Sequence, residues 1–129
     1  NVGQLRHLLE RAVVKPKFVQ NRCYASTGWD SEVRYLCKEH GIVYQGFSLL
    51  TANWPVVNDP RVRAIAQRAG VTPAQVIFRF AIQVGMMPVT GTSSGEHMHQ
   101  DLEAVGGFTL EQADVDLIES IAVRHRTNA

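Results

Sequence analysis

Apolar residues recur at two spacings along this chain. Between residues 3 and 13, Leu5, Leu8, Leu9, Ala12 and Val13 stand three or four positions apart, which gathers them on one face of a helix. Residues 17 to 24, Lys-Phe-Val-Gln-Asn-Arg-Cys-Tyr, are short and bounded by turn residues, a pattern that predicts a strand. A second helix is expected over residues 29 to 39, with Val33, Leu36 and Cys37 on its apolar face and Gly41 just beyond its end. Ile42 to Phe47 is rich in β-branched and aromatic residues and reads as a second strand, with a loop over residues 48 to 55.

The punctuation is clearer further on. Asp59-Pro60 predicts a helix start, because Asp accepts free backbone N–H groups and Pro is preset for the first turn. Thr72, Pro73 and Gln75 form a capping box for the next helix, whose buried side should carry Val76, Ile77, Phe80, Ala81 and Val84. Residues 86 to 90 then predict a buried strand, residues 95 to 104 a helix, and Thr109 to Gln112 the cap of a last helix running to about residue 122. Strands alternating with helices describe an α/β fold built from βαβ units on a parallel sheet. Ligands of such folds sit at the carboxyl ends of the strands.

Composition narrows the chemistry. The 129 residues suit one domain, and 45% hydrophobic with 19% charged residues is a globular balance. A net charge of +1 with no basic block argues against nucleic acid, and no apolar run approaches the ~20 residues of a membrane helix. The first residues lack a secretion signal, so a cytoplasmic setting is expected. Cys23 and Cys37 match neither a zinc pair nor a redox motif and read as reduced, buried packing residues. His97 and His99 lie about 200° apart on a helix, so they cannot converge on one metal ion; no metal site is expected. Gly46-Phe47-Ser48-Leu49-Leu50 lacks the final glycine of a serine-nucleophile elbow. His7, His40 and His125 are scattered and read as exposed.

Four stretches, "PKFVQNRCYA", "GIVYQGFSLL", "DPRVRAIAQRAGVTPAQVIFRFAIQVGMMPVTGTSSGEHMHQDL" and "FTLEQADVDLIESI", together resemble the C-terminal part of the aldo-keto reductases in order and spacing. The resemblance covers nearly the whole chain. It implies a partial (β/α)8 barrel, with the sixth, seventh and eighth strands, as a single domain over residues 1 to 129. It also implies a nicotinamide cofactor, NADPH or NADH, and a small carbonyl substrate in the complete protein.

The resemblance assigns cofactor contacts as well. Asn1 and Gln20 stand where the family holds the carboxamide of the nicotinamide, and Phe47 where an aromatic stacks on its ring. Ser48 and Leu50 stand where the loop approaches the pyrophosphate. Gly91 and Thr92 replace Lys-Ser at the adenosine 2′-phosphate, His97 replaces Arg, and Gln100 and Asp101 take the adenine positions. Two bland readings compete: Gln20 and Asn21 as barrel-mouth polar residues bonded to neighbours, and Phe47 as ordinary core.

No residue matches the family's catalytic Asp, Tyr, Lys and His, so no catalytic residue is expected and the chain alone should be inactive. The expectation is a fragment whose exposed sheet edges need the missing barrel half, or a second copy, to cover them. The alternative is a non-catalytic binding or interaction domain on a reductase-derived scaffold, capable of self-association. The stretch over residues 124 to 129 is short for a loop that closes over substrate.

Overall fold

The computed structural model describes residues 1–123. Its elements run α1 (Val2–Arg11), β1 (Phe18–Arg22), a single 3-10 turn (Ala25–Thr27), α2 (Ser31–Glu39), β2 (Val43–Phe47), α3 (Trp54–Val57), α4 (Pro60–Ala69), α5 (Pro73–Gln83), β3 (Met87–Pro88), α6 (Gly95–Gly106) and α7 (Gln112–Ser120). The three strands form a parallel sheet in the order β1-β2-β3, with Gln20 beside Gln45 and Gln45 beside Met87. This is the partial barrel with roughly three parallel strands that the sequence predicts.

One face of the sheet is covered and the other is open. Tyr44 and Gly46 are buried on the helix side, while Phe18, Gln20, Arg22, Val43 and Met87 alternate onto the exposed side. Below the covered face, Trp29, Val62, Val76, Ile77, Phe80 and Ile118 are fully buried, and the Trp29 and Phe80 rings lie 5.2 Å apart. The helical spacing of α5 thus translates into core as expected, with only Val84 left half-buried. Gly46 permits the close approach of β2 to this layer, because a Cβ there would lie 2.4 Å from the sulfur of Met86.

Several local expectations are corrected. In α1 only Leu5 and Leu9 are buried, because the helix packs chiefly on α2 and ends at Arg11; Leu8 is exposed and Val13 lies beyond the end. The second helix starts at Ser31 rather than Trp29, since Trp29 and Asp30 both take left-handed backbone angles and the Asp30 carboxylate is engaged elsewhere. A short helix, α3, opens inside the expected loop, with Pro55 in its first turn. The last helix is capped at Glu111, not Thr109, because Gln83 grips both the N–H and the carbonyl of Leu110 and holds that stretch extended.

Both cysteines are free and buried, as expected, and burial pushes the Cys23 thiol up to about 11. No helix among the described residues is long and apolar enough to cross a membrane. The expectations for residues 124 to 129, His125 included, lie outside the described residues.

Candidate functional site

The carboxyl ends of β2 and β3 open into two adjoining clefts. One, about 390 Å³, is lined by Phe47, Ser48, Leu49, Leu50, Thr51, Phe78, Val89, Thr90 and Gly91. The other, about 420 Å³, continues from Leu50, Thr51, Phe78, Thr90 and Gly91 to Trp54, Val57, Thr72, Pro73, Ala74, Gln75, Thr92, His97, Gln100 and Asp101. Residues from the β2 loop, the start of α5 and the start of α6 therefore converge on one groove. Of the ten positions assigned from the resemblance, Phe47, Ser48, Leu50, Gly91, Thr92, His97, Gln100 and Asp101 line it.

Asn1 and Gln20 line neither cleft. The Asn1 carboxamide caps α1 by accepting from the Gln4 N–H at 3.0 Å. Gln20 projects from the open face of β1, and its amide donates to the Gln45 carbonyl oxygen at 3.4 Å. Phe47 is half-buried on that same open face rather than in the helix-covered core, so its ring borders the groove.

Ser48 turns the chain out of β2 with φ at +56°. A non-glycine residue there is strained, and such strain persists only where the surroundings impose it. Asn53, buried, supplies the constraint: its amide donates to the carbonyls of Cys23 and Leu49, and its oxygen accepts from the Ala25 N–H. One side chain thereby ties the loop after β1 to the loop after β2.

Gln75 does the same on the α6 side. Besides completing the capping box with Thr72, its amide donates to the Gln100 carbonyl and to the Glu103 carboxylate. At the start of α6, the Ser94 hydroxyl accepts from the His97 N–H and the Thr92 hydroxyl accepts from the Ser94 N–H. The hydroxyl-rich stretch is thus a helix cap whose Thr92 and Ser94 hydroxyls accept hydrogen bonds and donate to no group among the described residues.

His97 and Asp101 stand one turn apart and both line the cleft, whereas His99 turns away to pair with Glu103 at 3.1 Å. Burial holds the Asp101 carboxyl above its ordinary range, with nearby His97 opposing the shift. Among the described residues, no Lys or Arg lines either cleft.

A second polar network lies on the covered side of the sheet. Asp30 accepts from the Asn21 amide and from the Tyr44 hydroxyl, each at 2.8 Å. Burial drives the Tyr44 hydroxyl well above its usual value. Asn21 is thus bonded to a neighbour, as the blander sequence reading expects, whereas Asp30, Tyr44, Asn53 and Trp54 carry no such signal in the sequence, because each acquires its role through contacts distant along the chain. The one available local signal was Trp54-Pro55, an aromatic residue at a predicted loop's end.

Comparison with known proteins adds an independent line. The family model described as "Aldo/keto reductase family" matches residues 1–123. An NAD/NADP-dependent indole-3-acetaldehyde reductase of Schizosaccharomyces pombe is 28% identical over 131 residues, spanning 96% of this chain and 45% of that protein. The aldose reductase of Schistosoma japonicum superimposes with a TM-score of 0.82 at 20% identity, covering 98% of this chain and 40% of that one. A mutant of Gox0644 in complex with NADPH gives 0.80 at 23% identity, covering all of this chain and 47% of that one. The chain spans less than half the length of the curated relatives it matches.

Proposed function

Because the chain belongs to the aldo/keto reductase family, we propose that it is the C-terminal, cofactor-facing portion of a (β/α)8 barrel that holds NADPH or NADH across its strand ends. The observation carrying this reading is the groove itself, which brings the β2 loop and the start of α6 together around one elongated space. A nicotinamide dinucleotide, when bound, supplies the hydride for reduction of a carbonyl substrate.

The residues fit such a group unevenly. The Phe47 ring offers a flat apolar face at one end. At the other, Leu50, Trp54, Val57 and Phe78 offer an apolar wall of the kind ligand sites use to bury a ring. Between them, Ser48, Thr51, Thr90 and Thr92 bring hydroxyl donors, with the N-terminus of α6 adding its N–H groups. A 2′-phosphate, however, meets no fixed cation among the described residues of the groove: Gly91 and His97 stand in place of Lys and Arg, and the charged neighbour is the Asp101 carboxylate. The preference for NADPH over NADH should therefore be weak.

The chain does not complete the chemistry. Tyr44 cannot substitute for the family's proton-donating Tyr, because its hydroxyl is buried on the helix side and donated to Asp30. Without an acidic proton donor among the described residues of the cleft beside Phe47, hydride delivery to a carbonyl there would leave an unprotonated alkoxide. The carbonyl substrate and its proton donor are thus assigned to the remaining part of the barrel. That part would also cover Phe18, Val43 and Met87 on the open sheet face. These exposed apolar residues favour one other reading, a non-catalytic scaffold that covers the same face with a second copy.

Calorimetric titration of the chain with NADH and NADPH tests the proposal, with affinities expected to lie within about tenfold of each other. A hundredfold preference for NADPH would end the weakened-clamp reading. Absence of binding by both, in this chain and in a longer one, would end the cofactor reading.

A further inference from the structure

Phe47 has the groove on one flank and β1 on the other. The two strands pair in parallel with Arg22 directly beside Phe47, and the Cys23 N–H donates to the Phe47 carbonyl at 3.0 Å, so the ladder holds both residues together to the strand ends. Partners in register project from the same face of a sheet, one strand spacing of about 4.8 Å apart. Arg22 therefore stands on the open face, at the carboxyl end, next to the aromatic assigned to the nicotinamide ring.

Its guanidinium is uncommitted. Arg22 is exposed and makes no ion pair and no side-chain hydrogen bond among the described residues, and it rests 5.8 Å from the centroid of the Tyr24 ring. Stacking on a ring holds the planar group without using its N–H donors, which leaves the fork open to a carboxylate or a phosphate. The first acid that follows in the chain, Asp30, is engaged on the covered side of the sheet by Asn21 and Tyr44.

Strand order identifies the ligand that carries the anion. The groove runs from Phe47 through the β2 loop toward β3 and α6, and Arg22 lines neither of its clefts, because β1 lies on the opposite flank of β2. A dinucleotide in that groove directs its phosphates away from β1. An anion beside Arg22 then belongs to the other reactant.

Resting on the dinucleotide reading, we propose that Arg22 is a substrate-specificity residue that receives a carboxylate or phosphate carried by the carbonyl compound. The substrate class is thereby anionic, an oxo acid or a phosphorylated aldehyde or ketone, rather than a neutral carbonyl.

The test saturates the intact chain with NADH and follows the arginine Nε–H signals by nuclear magnetic resonance. Pyruvate is compared with pyruvamide, and dihydroxyacetone phosphate with dihydroxyacetone; the Arg22 signal is the one missing from Arg22→Gln. At least one anion should bind about fivefold more tightly than its neutral counterpart and shift that signal, and which one does so separates carboxylate from phosphate. Arg22→Gln, its fold checked by circular dichroism, should bring each pair within about twofold while NADH affinity stays unchanged. Arg22→Lys should keep part of the preference, since a point charge remains without the fork.

No preference for either anion, a preference that survives Arg22→Gln, or an NADH affinity that falls in Arg22→Gln would overturn substrate selection and leave the dinucleotide reading in place. The last outcome would assign the charge to the cofactor's own diphosphate. If NADH and NADPH both fail to bind, in this chain and in a longer one, the dinucleotide reading falls and takes substrate selection with it.

Discussion

At the amino ends of the strands, a cleft of about 510 Å³ is lined by Arg34, Gln83, Gln112 and Glu119 among others. Its buried and half-buried polar side chains are engaged, and only Tyr35 and Lys38 in its lining make no side-chain hydrogen bond among the described residues. Arg34 donates to the carbonyls of Trp29 and Gly28 and to the Glu119 carboxylate, Gln83 holds Leu110, and Gln112 donates to Asp116. At the carboxyl ends, the smaller clefts contain a strained Ser48 and, among the described residues, hydroxyls that donate to no group and an Asp101 carboxylate without a hydrogen-bond partner. Size therefore misleads: the larger space is where the fold is fastened, and the smaller spaces are where side chains still need partners. Unsatisfied polar groups, rather than volume, separate a site from a seam.

The largest expected effect falls at the fastened end. Arg34 is buried, its side chain only 4% exposed, and its guanidinium joins α2 to α7 through Glu119 at 2.7 Å. Arg34→Met strands four acceptors at once, the carbonyls of Gly28, Trp29 and Val84 and the Glu119 carboxylate, and should cost about 3 kcal/mol in urea unfolding, the lower end for breaking a buried pair because Glu119 is partly exposed. Nucleotide affinity per folded molecule should not change. A weakened affinity would show that the two ends are coupled and break the contrast.

Asn53 tests the opposite end. Asn53→Ala leaves two carbonyls and one N–H without their partner, in a buried position, and should cost about 2 kcal/mol. Here nucleotide affinity should fall several-fold as well, because the loop bearing Ser48 and Leu50 loses its tie to β1. Stability lost with affinity intact would make Asn53 another fastening residue and leave the site independent of it.

What the sequence disclosed, and what it hid, follows the same division. The capping box at Thr72, the apolar stripe from Val76 to Ala81 and the Asp59-Pro60 start are local patterns, and all three are realised in the helices they predict. By contrast, β3 shrinks from the expected 86–90 to Met87–Pro88, because it has a strand neighbour on one side only and Pro88 has no N–H to donate. Thr109 fails as a cap because Gln83, 27 positions earlier, holds Leu110. The groove was legible as a set of positions through the family resemblance. Its supports, Asn53 and the second hydrogen bond of Gln75, were not, since periodicity carries no record of which distant carbonyl an amide will reach.

A smaller effect addresses the missing cations. A Cβ at Gly91 would meet nothing within 4 Å, and His97 is exposed on α6, so Gly91→Lys with His97→Arg should be accommodated without repacking. Two fixed charges at the groove should raise NADPH affinity at least tenfold relative to NADH. Equal gains for both cofactors would mean that the charges act on the pyrophosphate, and the adenosine end would lose its assignment.

The smallest effect is the most diagnostic of an unsatisfied group. Burial raises the Asp101 carboxyl pKa in the folded chain, with His97 partly opposing. Folding therefore favours the protonated form. Whatever stability this contributes is fully present below the ordinary Asp value of about 4 and is lost as pH rises through the higher folded value. At pH 7 the charged carboxylate is thus a small burden, and Asp101→Asn should stabilise the chain by less than about 0.5 kcal/mol. The gain should shrink as pH falls toward about 4, where the native side chain is itself neutral. Thermal melts at a series of pH values read this directly, as a difference of roughly 2 °C at pH 7 that closes in acid. Loss of stability at pH 7 would mean that Asp101 has a partner in solution and does not await a ligand's donor.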